Sequence, residues 1–247
     1  MYGFLNLLDK VKKYFAFSKE EIKSLVFAIL ILGFVVGFDD GRETFEMLYW
    51  LHNLLNSLLI VGLAVIVREV GHRVYALQSG HRAELKIWWF GILASLIISI
   101  VSLGQIKILI YGGLLIHFME KHRIGYFRHW QGNYDMSIIA LSGSVANLML
   151  AFFFKLFMFL PNNALIEKAI LINVVMASVN MLPIPPLDGS MIFFASREIY
   201  VFTLGLVLGA SVLLYFAPLL VALIGSVLIG LLFIFAYNIL FERQSGK

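Results

Sequence analysis

The chain has 247 residues, of which 61% are hydrophobic and only 14% charged, and its net charge is +4. Soluble domains average about 45–50% apolar and about 25% charged, so a water-soluble enzyme and a nucleic-acid-binding domain are both excluded and a lipid bilayer is the expected solvent. There are no cysteines, which removes disulfides and thiolate–metal sites from consideration.

The first 23 residues carry Lys10, Lys12, Lys13, Lys19 and Lys23. No Ala-x-Ala-type processing site follows the first apolar run, so that run is expected to stay as an anchor. Predicted spans follow at Ile22–Phe38, Met47–Val67, Met136–Leu160, Ala164–Leu182, Met191–Ala217 and Leu219–Leu240. Pro218 separates the last two. The apolar stretch Ile87–Phe118 differs from these. Its first half reads as a short helix, whereas Gln105–Ile110 partly alternates and then meets Gly112 and Gly113, as a strand and turn would.

Charge sets the expected orientation. The loop after the first span holds Asp39, Asp40, Glu43 and Glu46 against Arg42, while the N-terminal segment is basic. The positive-inside rule then places the N-terminus in the cytoplasm. The second span delivers Arg68 to His72 near the cytoplasmic face. The basic segments 68–86 and 119–135 both stay inside only if 87–118 leaves and returns on one side. The expected fold is therefore an all-α polytopic membrane protein with about six transmembrane helices plus a re-entrant or interfacial hairpin at 87–118. Non-helical backbone at that depth needs cover from protein or water. Residues 1–46 form an N-terminal segment with the first span, 47–195 a core, and 196–247 the C-terminal spans.

Two motifs carry chemistry. Arg68-Glu69-Val70-Gly71-His72 has the spacing of the zinc-protease helix motif H-E-x-x-H, with arginine at the first ligand position. Positions four apart share a helix face, so residues 68 and 72 point to one place, and Glu69 sits where it could reach a metal-bound water as general base. Arg68 has no lone pair to give a metal. Alone, this pentapeptide reads more readily as a charged helix end at the interface. The second motif is Asn180-Met181-Leu182-Pro183-Ile184-Pro185-Pro186-Leu187-Asp188-Gly189. Its prolines stop a hydrophobic helix, Gly189 permits a close turn, and Asp188 is set near the membrane boundary, where ionisable groups are usually functional or paired.

On these motifs the chain resembles the intramembrane zinc metalloproteases of the site-2 protease family, in particular the compact prokaryotic members. Gly143-Ser144-Val145-Ala146-Asn147 resembles the family's Gly-x-x-x-Asn segment and Tyr111-Gly112-Gly113 its glycine turn, and the likeness covers roughly residues 47–195. The resemblance implies cleavage of transmembrane segments of other membrane proteins in a prokaryotic cell membrane. It also implies His72 and Asp188 as zinc ligands, Glu69 as general base and Asn147 as a substrate or oxyanion contact. Gly143 and Asn147 could equally serve close helix packing and an interhelical hydrogen bond.

The departure at Arg68 bears on zinc and on activity. An arginine beside Glu69 and Asp188 brings a fixed positive charge to the place zinc would occupy and could pair with one carboxylate or both. The expectation is a metalloprotease homologue impaired at its centre, with a metal-free pseudoprotease that binds membrane-protein clients as the alternative. Other histidines offer a replacement ligand at most through His117. His122 and His129 belong to a basic juxtamembrane loop, and His52 is too far up its helix. Lys155 and the Glu167–Lys168 pair are expected to snorkel or pair near the far face. Trp88, Trp89 and Trp130 suit interfacial anchoring. A transporter also uses intramembrane carboxylates and broken helices, but this chain has few charges and no inverted repeat.

Overall fold

A computed structural model describes residues 2–42, 44–118, 121–122, 125–126, 133–161 and 163–242. The side chains of His122, His129 and Trp130 lie outside the described set. The chain begins with an amphipathic helix, α1 (Tyr2–Tyr14), followed by α2 (Lys19–Gly37) and α3 (Met47–Ser79). Lys10 of α1 donates to the Leu77 carbonyl (2.9 Å), fastening α1 to the last turns of α3. Ser18 and Glu21 form a capping box at the start of α2, so this helix begins before the apolar run that marked it in the sequence. The backbones of α2 and α3 pack closely: a side chain at Gly37 would meet the Leu54 Cα at 3.0 Å.

Next come β1 (His81–Ile87), α4 (Trp89–Val101) and β2 (Gly112–Phe118). Strands β1 and β2 pair antiparallel, from His81 opposite Phe118 to Ile87 opposite Gly112. Residues 87–118 therefore leave and return at the same end of the bundle, in keeping with the hairpin expected from the charge distribution. The outward limb is α4, whose Ser99 donates to the Val35 carbonyl (3.1 Å). The chain reverses through Leu103 and Gly104, both with positive φ; the strand expected at Gln105–Ile110 is not formed, and the strand starts instead at Gly112, where the turn was expected. Ser95 stitches the two limbs together, accepting from the Ile110 N–H (3.1 Å) and donating to its carbonyl (3.3 Å). Protein thus supplies partners for part of this non-helical backbone, the cover that a low-dielectric setting calls for.

After the short strands β3 (Lys121–His122) and β4 (Gly125–Tyr126) come α5 (Asn133–Lys155), α6 (Ala164–Asn180), α7 (Asp188–Ala195), α8 (Arg197–Phe216) and α9 (Leu219–Tyr237). Asn238–Glu242 adds a π-helical turn to α9. The expected single span Met191–Ala217 is divided instead at Ser196. This residue ends α7 and caps α8 by accepting from the Ile199 N–H. Its extended backbone lets the chain change direction there.

Among the described residues, four helices are long and apolar enough to cross a membrane: Met47–Ser79, Tyr134–Lys155, Arg197–Phe216 and Leu219–Phe241. With the small sheet they make an all-α polytopic membrane fold. The two remaining members of the expected six fall short of that measure. Helix α6 has 17 residues, and the first turns of α2 are charged. The hydrophobic core lies where α2, α3, α6 and the return of 87–118 meet, around Leu32, Val61, Leu109 and Met176. Apolar side chains such as Leu59, Phe216 and Phe235 point outward, where hydrocarbon would cover them.

Candidate metal centre

Helix α3 brings Arg68, Glu69 and His72 into the middle of the bundle, and each is no more than 3% exposed. The opposing wall is α5, which runs antiparallel to α3. A side chain at Gly71 would press on Ala146 Cβ (2.8 Å) and the Ser142 carbonyl (2.9 Å). Gly143 faces His72 directly, and a Cβ there would overlap the imidazole at Nε2. The glycine in the Gly-x-x-x-Asn segment therefore makes room for a site side chain rather than for a helix backbone alone.

Asp188 arrives from the opposite direction. Residues 183–187 break the chain between α6 and α7, and Asp188 becomes the first residue of α7. Gly189 holds it in place: any side chain there would collide with the last turn of α6 at the Met181 and Leu182 carbonyls. The Tyr200 hydroxyl also donates to the Met181 carbonyl (3.1 Å), tying that turn to α8.

The four site residues then meet. The Arg68 guanidinium donates through Nη2 to Asp188 Oδ2, forming a buried ion pair, and approaches Ser144 Oγ at 3.5 Å through Nη1. His72 Nε2 lies 3.0 Å from the same Asp188 oxygen. Glu69 turns away from this group: its Oε1 accepts a 2.8 Å hydrogen bond from the Tyr111 hydroxyl, and Oε2 is 3.8 Å from His72 Nδ1. The arginine therefore pairs with one carboxylate, not both, and the second is held by a phenol. The glycine-turn motif comprises Tyr111, Gly112 and Gly113. Tyr111, buried at 2% exposure, is the residue of that motif that reaches the site.

Asn147 is also brought to this wall, one turn along α5 from Gly143. It is fully buried, and among the described residues neither its amide oxygen nor its nitrogen has a hydrogen-bond partner. Among the described residues Asn147 makes no interhelical hydrogen bond of the kind that close packing would use. His117 does not join the site; it lies 3.5 Å from Glu84, across the sheet, with its side chain 54% exposed.

The donor set does not fit a catalytic zinc ion. Such sites use three protein lone-pair donors and leave a fourth position open. Here two suitable atoms converge, His72 Nε2 and Asp188 Oδ2, and the latter already accepts from Arg68. The third corner is a guanidinium with five donors and no acceptor. Among the described residues no group of three or more His, Asp or Glu side chains is placed to hold a metal. The cluster is instead balanced internally. Arg68 supplies positive charge to Asp188, and Tyr111 supplies a proton donor to Glu69.

This balance gives a stability prediction. Tyr111→Phe leaves a buried Glu69 oxygen without its donor, which should lower unfolding stability by about 1–3 kcal/mol. Thermal unfolding in detergent against the wild type measures it; an unchanged midpoint would show that Glu69 is solvated or paired elsewhere.

Fold and centre together define a membrane protein built around a metalloprotease-type helix motif met by an aspartate from a second helix. A curated protein of Methanocaldococcus jannaschii, named "Putative zinc metalloprotease", is 31% identical over 180 residues, covering 71% of this chain and 84% of the relative. The chain belongs to this zinc metalloprotease family. No protein-family model and no solved structure matches it.

Proposed function

We propose that the chain is a multi-pass intramembrane metalloprotease homologue of the site-2 type in which Arg68 stands in for the metal, so that peptide hydrolysis is impaired or lost. The observation that carries this reading is the buried Arg68–Asp188 ion pair. It engages the carboxylate that would otherwise ligate zinc, and removing either partner would strand the other's charge. Family membership supplies the metalloprotease architecture, and the order of Arg68–His72, Asn147 and Asp188 supports the site-2 assignment.

In this reading the protein retains the ability to receive transmembrane segments of other membrane proteins. Asn147, whose buried amide has no partner among the described residues, is the contact for an unwound stretch of client backbone that enters between the helices. His72, Glu69 and Asp188 keep the places of two ligands and a base but do not perform those roles. The basic N-terminal segment supports an N-terminus on the cytoplasmic side of a prokaryotic membrane.

The test is reconstitution of the full chain with a fluorescent reporter that carries one transmembrane helix. The wild type should bind the reporter, read by energy transfer, and leave it intact. Zinc-dependent cleavage by the wild type, abolished by Glu69→Gln, would establish an active enzyme and overturn the reading.

A further inference from the structure

A second polar site lies at the opposite end of the bundle and takes no part in the Arg68 cluster. A cavity of about 360 Å³ opens between the end of α2, the returning limb of 87–118, the first turns of α6 and the end of α8. Its polar lining is Lys107, Lys168, Glu167 and Tyr215, set against an apolar wall that includes Val36 and Ile172. Ser57, which marks its level on α3, is 11 residues from Arg68, or about 16 Å along the helix.

The two lysines are not where snorkelling would put them. Both are half-buried. Lys168 Nζ points inward, donating to Asn53 Oδ1 (2.6 Å) and Ser57 Oγ (2.7 Å). Asn53 is fixed in turn by donating to the Gly37 and Asp39 carbonyls. An ammonium has three hydrogens, and these neutral acceptors use two. Lys107 has no hydrogen bond or ion pair among the described residues. Glu167 sits exposed at the rim and makes no ion pair with either lysine within the described set. The lining therefore holds two half-buried cations and one carboxylate; among the described residues neither lysine forms an ion pair, although the Asp39 carboxylate is near enough to Lys168 to attract it and Lys107 near enough to repel it. Partly desolvated charge of this kind is costly unless an anion meets it.

We propose that this cavity binds a phosphate group, supplied by a phospholipid headgroup, with Lys107 and the third hydrogen of Lys168 as its donors. Three observations favour the lipid as source. The cavity lies at the ends of helices that span or flank the hydrocarbon layer, the level at which lipid phosphates reside. One wall of the cavity is apolar, as an acyl chain requires. The outward faces of the adjoining helices are apolar too, with Leu165 and Leu208 exposed.

Native mass spectrometry of the full chain in detergent tests this with three probes: phosphatidylglycerol, diacylglycerol with the same acyl chains, and inorganic phosphate. Phosphatidylglycerol should bind and diacylglycerol should not. Lys107→Gln should weaken phosphatidylglycerol binding about fivefold, the contribution of one lysine to an anionic lipid, and Lys107→Arg should keep it. Lys107 has no hydrogen bond or ion pair among the described residues, so the Gln variant is expected to fold; its thermal midpoint checks this. Equal binding of phosphatidylglycerol and diacylglycerol, or no loss in Lys107→Gln, overturns the proposal. Inorganic phosphate binding as tightly as the lipid would overturn the lipid as source while supporting the phosphate chemistry. The site is independent of Arg68, so neither result bears on the metal centre.

Discussion

Arg68→Met is expected to destabilise the protein by about 3 kcal/mol, near the lower end of the range for breaking a buried ion pair. The loss comes from Asp188, whose carboxylate is 2% exposed and would keep its charge without its strongest partner. His72 Nε2, 3.0 Å from the same oxygen, remains and offsets part of the effect. The double variant Arg68→Met with Asp188→Leu should recover most of the stability, because replacing both partners by apolar groups removes the uncompensated charge. Unfolding of the four proteins of this cycle in mixed micelles gives the coupling energy directly. Additive single effects, with no recovery in the double variant, would show that the two side chains do not depend on one another.

Arg68→His is expected to raise zinc affinity by at least about a hundredfold. Losing an outer-shell partner already costs 10–100-fold in metal affinity, and this change supplies a missing inner ligand. The imidazole would lie four residues from His72 on the same face of α3. Asp188 would be released from its guanidinium and free to complete the set. Gly143 leaves room for this rearrangement on the α5 side, since nothing larger separates that helix from His72. Isothermal titration with zinc measures the gain. A correctly folded Arg68→His protein that binds no more zinc than the wild type would mean that residues 68 and 72 do not form the two-ligand edge of a metal site.

Much of this arrangement was legible in the sequence because it rests on local rules. Three prolines in four positions stop a helix wherever they occur, and they place Asp188 at the start of the next one. The hairpin at 87–118 followed from charge: a single crossing would have put Asp188 and His72 on opposite faces. Even the capping box of α2 was present as Ser18-x-x-Glu21, though the longer apolar run starting at Ile22 obscured it. The break at Ser196 had a signal too, in the Arg197–Glu198 pair inside an otherwise apolar stretch, but hydrophobic length outweighed it.

What could not be read depends on contacts distant in sequence. Tyr111 reaches Glu69 across 42 residues. Nothing local distinguishes that tyrosine from one facing lipid, and without this competitor for Glu69 an arginine that serves both carboxylates is the simpler expectation. The Arg73–Glu21 ion pair is similar. It joins α3 to α2 while Glu21 also accepts from the Leu85 N–H of β1 (3.2 Å), and Arg73 lies over the Phe17 ring at 3.9 Å. This network fixes the sheet against the helix that carries the site, one residue beyond His72. Lys168 turns inward for a comparable reason. Asn53 and Ser57 of α3 offer it acceptors that no reading of α6 alone could reveal.

In the proposed arrangement a side-chain cation takes the place of the metal. Elemental analysis of the wild-type protein, purified in detergent without chelator and dialysed against micromolar zinc, tests it most directly. The arginine-for-metal arrangement requires far less than one zinc per chain, with the same low value in His72→Ala and Asp188→Ala. One zinc per chain in the wild type, lost in both variants, would contradict it and restore a working metal centre.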